Sequence, residues 1–247
     1  MSTGAGRVRH PRTWLLHGAR PFANWLFRRR MQVQVHGADF VPTEGPVILA
    51  ANHMGVLDGP LLAIFAPRPV HALTKQEMFS GPAGVFFRQA GQIKLDRFHA
   101  DPGAVRTCLA VLEQGAVVGI FPEGTRGAGE FTEGFHRGAA YLGLVSGAPI
   151  VPVTILGSRP PGGGSSALPD PDVPVHLVFG PARTLPRTPW PRTKEQVGVE
   201  TVLLRDYLRS ELDRALRLTG ATLPGPLPAQ PTQDDREPDA GPAARGA

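Results

Sequence analysis

A chain of 247 residues with 41% hydrophobic and 19% charged residues can bury a sizeable core and is too apolar to be disordered throughout. Its one cysteine, Cys108, excludes an intrachain disulfide framework and a cysteine-based zinc site; its eight histidines show no H-E-x-x-H pairing, so no metal centre is expected. Of the 26 basic residues 23 are Arg, and seven of these precede residue 31, whereas the first acidic residue is Asp39. That asymmetry points to an anionic surface, either nucleic acid or a lipid headgroup layer.

Residues 1–10 are small, polar and basic and read as disordered. From Pro11 to Arg30 the apolar residues Trp14, Leu15, Phe22, Trp25 and Leu26 recur at about helical spacing, with Arg12, Arg20, Arg28 and Arg30 at other positions around the helix. Pro21 suits the first turn of a second helix better than the middle of one, so two short helices or one kinked helix are expected. Such a segment lies either in a membrane interface or against the protein core. No stretch reaches the roughly 18 to 20 apolar residues that span a bilayer, and no signal-peptide pattern opens the chain. The expectation is a peripheral protein on the cytoplasmic side of the plasma membrane.

From residue 31 strand and helix patterns alternate. Strands are predicted at Met31–His36, Val47–Ala51, His71–Thr74, Ile93–Leu95, Val117–Phe121, Ile150–Leu156 and Val175–Phe179. Helices are predicted at Asp58–Ala66, Pro82–Arg88, Asp101–Gln114, Phe135–Ser146 and Lys194–Leu218, the last with Val197, Thr201, Leu204, Leu208 and Ala215 on one face. Residues 157–174 hold twelve Gly, Ser or Pro out of eighteen and read as a long surface loop. From 219 on, sixteen of 29 residues are Pro, Gly or Ala. The organisation expected is α/β: a single domain over 31–218 with a mainly parallel central sheet flanked by helices. An amphipathic helical segment in 1–30 precedes it, and a disordered Pro/Ala/Gly-rich tail at 219–247 follows.

In such a sheet functional groups gather in the loops leaving the C-terminal ends of strands, and three of these loops are rich in reactive side chains. In the first, 51–58, His53 and Asp58 stand five apart across a turn. The carboxylate can fix one imidazole nitrogen and leave the other as a base; alternatively Asp58 only caps the next helix. In the second, 91–97, Arg97 can join Lys75 on an anion, or pair with Asp96 or Asp101. In the third, 121–126, Glu123 and Arg126 stand around Gly124, which suits an anion or acyl-carrying site because glycine lets the backbone approach closely, or is a structural turn with a solvated charge pair. Cys108 lies among Leu109, Val111 and Leu112 and reads as core packing; His71 and His176 fall inside strands and read as structural.

The order H-x-x-x-x-D, G-x-I-x-x-x-R, F-P-E-G-T-R and a strand with Val151-Pro152-Val153 resembles the glycerolipid acyltransferase family over roughly residues 30–180. One position departs from the family pattern: two after the histidine, where Ser is frequent, stands Gly55. The resemblance implies transfer of a fatty acyl group from an acyl thioester to the free hydroxyl of 1-acylglycerol-3-phosphate, giving phosphatidic acid. Another lysolipid or a hydroxylated small molecule is the alternative acceptor. It implies His53 as general base and Asp58 as its orienting partner, with no covalent enzyme intermediate. Lys75, Arg97 and Arg126 are then the acceptor phosphate clamp, with Gly91, Glu123, Gly124 and Thr125 in the same substrate-binding set. The co-substrate is acyl-CoA or an acyl-acyl-carrier protein; no other cofactor, no metal and no nucleic acid is expected, and an anionic membrane surface is. A thioesterase or lipase of the serine type would need a G-x-S-x-G elbow, which is missing.

Overall fold

The computed structural model describes residues 11, 14–131, 134–188 and 192–228. Residues 1–10, Arg12 and the segment 229–247, on which some of the expectations above fall, lie outside the described residues. Two helices, α1 (Trp14–Gly18) and α2 (Arg20–Arg30), break at Ala19, with Pro21 in the first turn of the second. Then follow β1 (Val33–His36), β2 (Val47–Ala51), α3 (Asp58–Phe65), β3 (Val70–Lys75), α4 (Gly81–Gln89), β4 (Ile93–Leu95) and α5 (Pro102–Glu113). The chain continues through β5 (Val117–Ile120), α6 (Gly138–Ser146), β6 (Ile150–Leu156), β7 (Val175–Phe179) and α7 (Lys194–Thr219). Two 3-10 turns, Ala38–Phe40 and Gln76–Phe79, are too short to leave a periodic signature in the sequence. Helix α6 starts three residues later than predicted because the His136 N–H is bound to the Pro122 carbonyl (2.7 Å), which keeps the preceding turn on the β5 loop.

The seven strands lie in the order β1-β7-β6-β2-β5-β3-β4. From β6 to β4 all neighbours are parallel; β7 is antiparallel to β6 and carries β1 parallel to itself. The period of two along a strand divides the core. Ile48 and Ala50 of β2 face a cluster built with α5, α6 and α7, whereas Val47, Leu49 and Ala51 face one built with α3. The first cluster is closed by well-capped helices. Asp101 accepts from Ala104 N–H (2.9 Å) at the start of α5. Thr193 and Gln196 form a capping box on α7, which ends at left-handed Gly220.

Helix α2 packs on α3 through Phe27 against Phe65, with the Arg28 guanidinium 5.2 Å from the Phe65 ring centre and Arg20 bound to the Ile64 and Ala66 carbonyls. Its other face leaves Phe22, Trp25 and Leu26 exposed, as α1 leaves Trp14. The register places the end of α2 with care. Val33 is level with Val175, and His176 with Leu156, the last residue of β6, so α2 enters the sheet at the edge where the parallel strands end. After α7, Pro224 is buried and Leu223 packs on the core, so the first part of the segment expected to be disordered from 219 on lies against the domain. Among the described residues no helix is long and apolar enough to cross a membrane.

Candidate active site

Four adjacent parallel strands, β2, β5, β3 and β4, bring their C-terminal ends to one edge, and the three reactive loops start there. Strand β2 is buried on both faces, and the next residue, Asn52, is buried too. Its side chain extends the sheet: Nδ2 donates to the Ile155 carbonyl (3.0 Å) and Oδ1 accepts from the Ile155 N–H (2.7 Å). This anchors the loop at its first residue.

His53 follows. Its Nδ1 lies 2.8 Å from Asp58 Oδ2, and a carboxylate only accepts, so Nδ1 carries a proton and, in the neutral ring, Nε2 is the nitrogen with the lone pair. Asp58 does not cap its own helix. The same Oδ2 accepts the backbone N–H groups of Met54 (2.6 Å) and Gly55 (2.8 Å), drawing the loop into a tight turn around a fully buried carboxylate. The Phe121 ring stacks on the imidazole at 4.4 Å. Backbone contacts fix the rest: His53 N–H donates to Glu123 Oε1 (3.2 Å) and its carbonyl accepts from Gly127 N–H (2.9 Å). The histidine side chain is about one-fifth exposed (21%), enough to meet a substrate from one side.

Burial pushes the Glu123 carboxyl up to about 7, against the pull of the His53 N–H and with help from the nearby Asp58 and Glu130 charges. A folded-state pKa above the unfolded one contributes stability that is fully present below the ordinary carboxylate range and is lost as pH rises through about 7. Glu123→Gln keeps an acceptor for His53 N–H and never ionises. Urea midpoints are expected to fall between pH 5.5 and pH 8.5 in the wild type and to stay flatter in Glu123→Gln. Parallel pH dependences in the two proteins would remove Glu123 as the cause.

The other expected residues are placed unevenly. Gly124 holds a left-handed turn (φ 66°) where a Cβ would stand 2.5 Å from His136 Nε2, and its carbonyl accepts from Arg97 (3.1 Å). Arg97 therefore joins the third loop, while Asp96 binds His99 and Asp101 caps α5. Lys75 ends β3 opposite Leu95, two residues before Arg97, at the same corner. Thr125 is exposed at the loop tip. Arg126 is half-buried and donates to the Ser165 carbonyl (2.6 Å). Gly91 is not brought to this edge. It forms the left-handed turn (φ 64°) before β4, its carbonyl bound to His71 Nδ1 (2.6 Å), and β4 separates it from Arg97.

The loop expected at the surface after β6 begins inside the protein: Ser158 is 0% and Arg159 1% exposed. A Cβ on Gly55 would lie 2.8 Å from the Ser158 carbonyl oxygen, so this backbone approach accounts for glycine where the family pattern favours serine. Cys108 is buried in α5 and its thiol is pushed up to about 12 by that burial, which makes it useless as a nucleophile. Among the described residues no three His, Cys, Asp or Glu side chains gather into a metal-binding group.

The site thus sets a histidine–aspartate pair at the end of a central strand of a mainly parallel sheet, with Arg97 and Arg126 in the neighbouring loops. The sequence matches the family described as Acyltransferase over residues 32–156, and the chain belongs to that family. It is similar to the 1-acyl-sn-glycerol-3-phosphate acyltransferase of Bacillus subtilis, 29% identical over 51% of this chain and 63% of that one. It is also similar to the 1-acyl-sn-glycerol-3-phosphate acyltransferase alpha of Ovis aries, 34% identical over 51% of this chain and 45% of that one. The chain thus spans about half the length of the curated relatives it matches. Among solved structures, the 1-acyl-sn-glycerophosphate acyltransferase of Thermotoga maritima shares the fold: TM-score 0.61, 23% identity, covering 84% of this chain and 81% of that one.

Proposed function

We propose that this protein is an O-acyltransferase that moves a fatty acyl group from an acyl thioester to the free hydroxyl of 1-acylglycerol-3-phosphate, giving phosphatidic acid. The observation that carries the reading is the His53 and Asp58 pair, with Nδ1 held at 2.8 Å and no partner on Nε2 among the described residues, in a chain whose relatives bear that enzyme name. The acceptor hydroxyl gives its proton to His53 Nε2 as its oxygen attacks the thioester carbonyl carbon. Asp58 stabilises the imidazolium that forms. The tetrahedral intermediate then expels the thiolate, which leaves as a thiol with the proton from His53. No protein atom is acylated. The test is thiol release from acyl-CoA against a panel of lysolipid acceptors: release that requires 1-acylglycerol-3-phosphate supports the reading, and release without any acceptor sinks it in favour of a thioesterase.

Lys75 and Arg97, at one corner of the site, are the groups for the acceptor phosphate, and Arg126 supports the pocket by holding the 160–167 loop. Arg97→Ala is expected to raise the acceptor KM by roughly tenfold to a hundredfold, as loss of a charge-assisted contact does, with thioester KM changed less. If the variant lost affinity only for the acyl donor, Arg97 would belong to the carrier's phosphates instead.

Both substrates are amphiphiles, and the exposed Trp14, Phe22, Trp25 and Leu26 offer a peripheral membrane contact whose helix leads to the edge that holds His53. Beside them His17, Arg20, Asn24, Trp25, Arg28 and Arg29 line a concave surface of about 730 Å³ suited to anionic headgroups. Binding to anionic vesicles is expected to weaken with salt and with deletion of residues 1–30, each basic side chain contributing about 1 kcal/mol near such a surface. Equal co-sedimentation of full-length and truncated protein would place the contact elsewhere.

A further inference from the structure

Arg159 is a buried cation outside the four sequence motifs, and the site as described so far makes no use of it. Its side chain stands 1% exposed directly after β6, and its guanidinium binds three carbonyls from three segments. Nη1 donates to Gly163 (2.6 Å) in its own loop; Nη2 donates to Gly127 (3.2 Å) in the loop after β5 and to Gly225 (2.5 Å) beyond α7. Gly127 is the residue whose N–H holds the His53 carbonyl (2.9 Å), so one residue separates this cation from the histidine's backbone. The neighbour Ser158 is the residue that closes on Gly55, inside the turn wrapped around Asp58.

Electrostatics point the same way. Asp58 is fully buried; Oδ2 serves three N–H donors, while Oδ1 has no partner among the described residues. Arg159 Nε is likewise buried without a partner among the described residues. Burial pulls the Arg159 pKa below its ordinary value and the Asp58 charge holds it up, which is the behaviour of a cation within the field of that carboxylate. A cation in the field of the aspartate supports the charge by which Asp58 would stabilise the imidazolium.

We propose that Arg159 is the positioning residue of the His53 and Asp58 pair: its guanidinium ties the β6 loop, the Gly127 loop and the Gly225 segment into one frame behind the aspartate and supplies the counter-charge to it. Calling that pair catalytic rests on the function proposed above. Arg159 touches no substrate and acts through the loops it holds. The charged groups facing His53 and Asp58 are then Glu123 from the third loop, with Glu130 beyond it, and Arg159 from the β6 loop.

The test is the titration of His53, read from its imidazole resonances in the full-length protein, in wild type, Arg159→Gln and Arg159→Lys. Removing a cation from the field of the pair favours the imidazolium, so the His53 titration is expected to move to higher pH in Arg159→Gln. The same variant is expected to lower kcat by roughly tenfold to a hundredfold through misplacement, with both KM values nearly unchanged. Arg159→Lys keeps the charge but not the three-way fork; it is expected to leave the titration at its wild-type position and to recover part of kcat. A folded Arg159→Gln whose His53 titrates as in wild type overturns the proposal. If Arg159→Gln does not fold, Arg159→Lys decides alone: an unmoved titration with a reduced kcat supports the proposal, and a moved titration or an undiminished kcat overturns it. The resonance reports the pair whether or not acyl transfer occurs. A moved titration in Arg159→Gln with no thiol release from the wild type would therefore fault the assigned reaction and leave the role of Arg159 standing.

Discussion

His53→Ala is expected to lower acyl transfer by about a hundredfold to ten-thousandfold, the range that general base catalysis contributes, while leaving the protein folded. The imidazole is partly exposed and leaves no large cavity, and Asp58 keeps the Met54 and Gly55 N–H donors when the ring is gone. Asp58→Asn should be similarly impaired for a different reason. The amide can still accept from the turn, but it carries no charge to stabilise the imidazolium and leaves the choice of tautomer open. Thiol release with acyl-CoA and a lysolipid acceptor measures both, with circular dichroism as the check on folding. Near-wild-type turnover in folded His53→Ala would sink the mechanism. Full activity in Asp58→Asn would confine the aspartate to building the turn.

Asn52→Ala is expected to destabilise the protein by about 2 to 4 kcal/mol, since it strips partners from a buried N–H and a buried C=O at once. Both belong to Ile155, on a strand buried along its whole length, where water cannot replace the lost side chain. The neighbouring residue is His53, so loosening the loop at its anchor should also lower kcat in the fraction that remains folded. Asn52→Asp tests the donor alone: it keeps the bond from Ile155 N–H but sets a second acceptor against the Ile155 carbonyl. Urea denaturation reads the effect. An unchanged midpoint in Asn52→Ala would show that the Asp58 turn holds the loop unaided.

The elements were legible where local chemistry decides them. Strands β2, β6 and β7 carry the predicted bounds because each is a mainly apolar run stopped by turn residues, β4 carries them as an alternating Ile-Lys-Leu segment, and α7 shows its buried face as a period in the sequence. The order of strands was not legible: nothing local says that β7 turns back beside β6 and takes β1 with it. The same divide runs through the site. His53 and Asp58 meet across five residues, a separation that a sequence displays. Asn52 finds its partner 103 residues away, and Arg159 reaches Gly225 across 66, so neither carries a local mark beyond a polar residue extending an apolar strand. Gly91 errs the other way. Its closeness to Arg97 in sequence grouped the two, but the strand between them carries them to opposite edges of the sheet.

The placement of β1 also bears on how the chain comes together during synthesis. Its register pairs it with β7, from Val33 beside Val175 to His36 beside Val178, so its hydrogen-bonding partner is made only after more than half of the protein has followed it. The loop that must close between them is long and the contact is non-local, which makes this pairing a late event. Until then α2 is joined to an unpaired strand and is held by its packing on α3, through Phe27 on Phe65 and Arg20 on the Ile64 and Ala66 carbonyls. The outer edge of the sheet, where β1 lies, is thus completed after the central strands that it flanks.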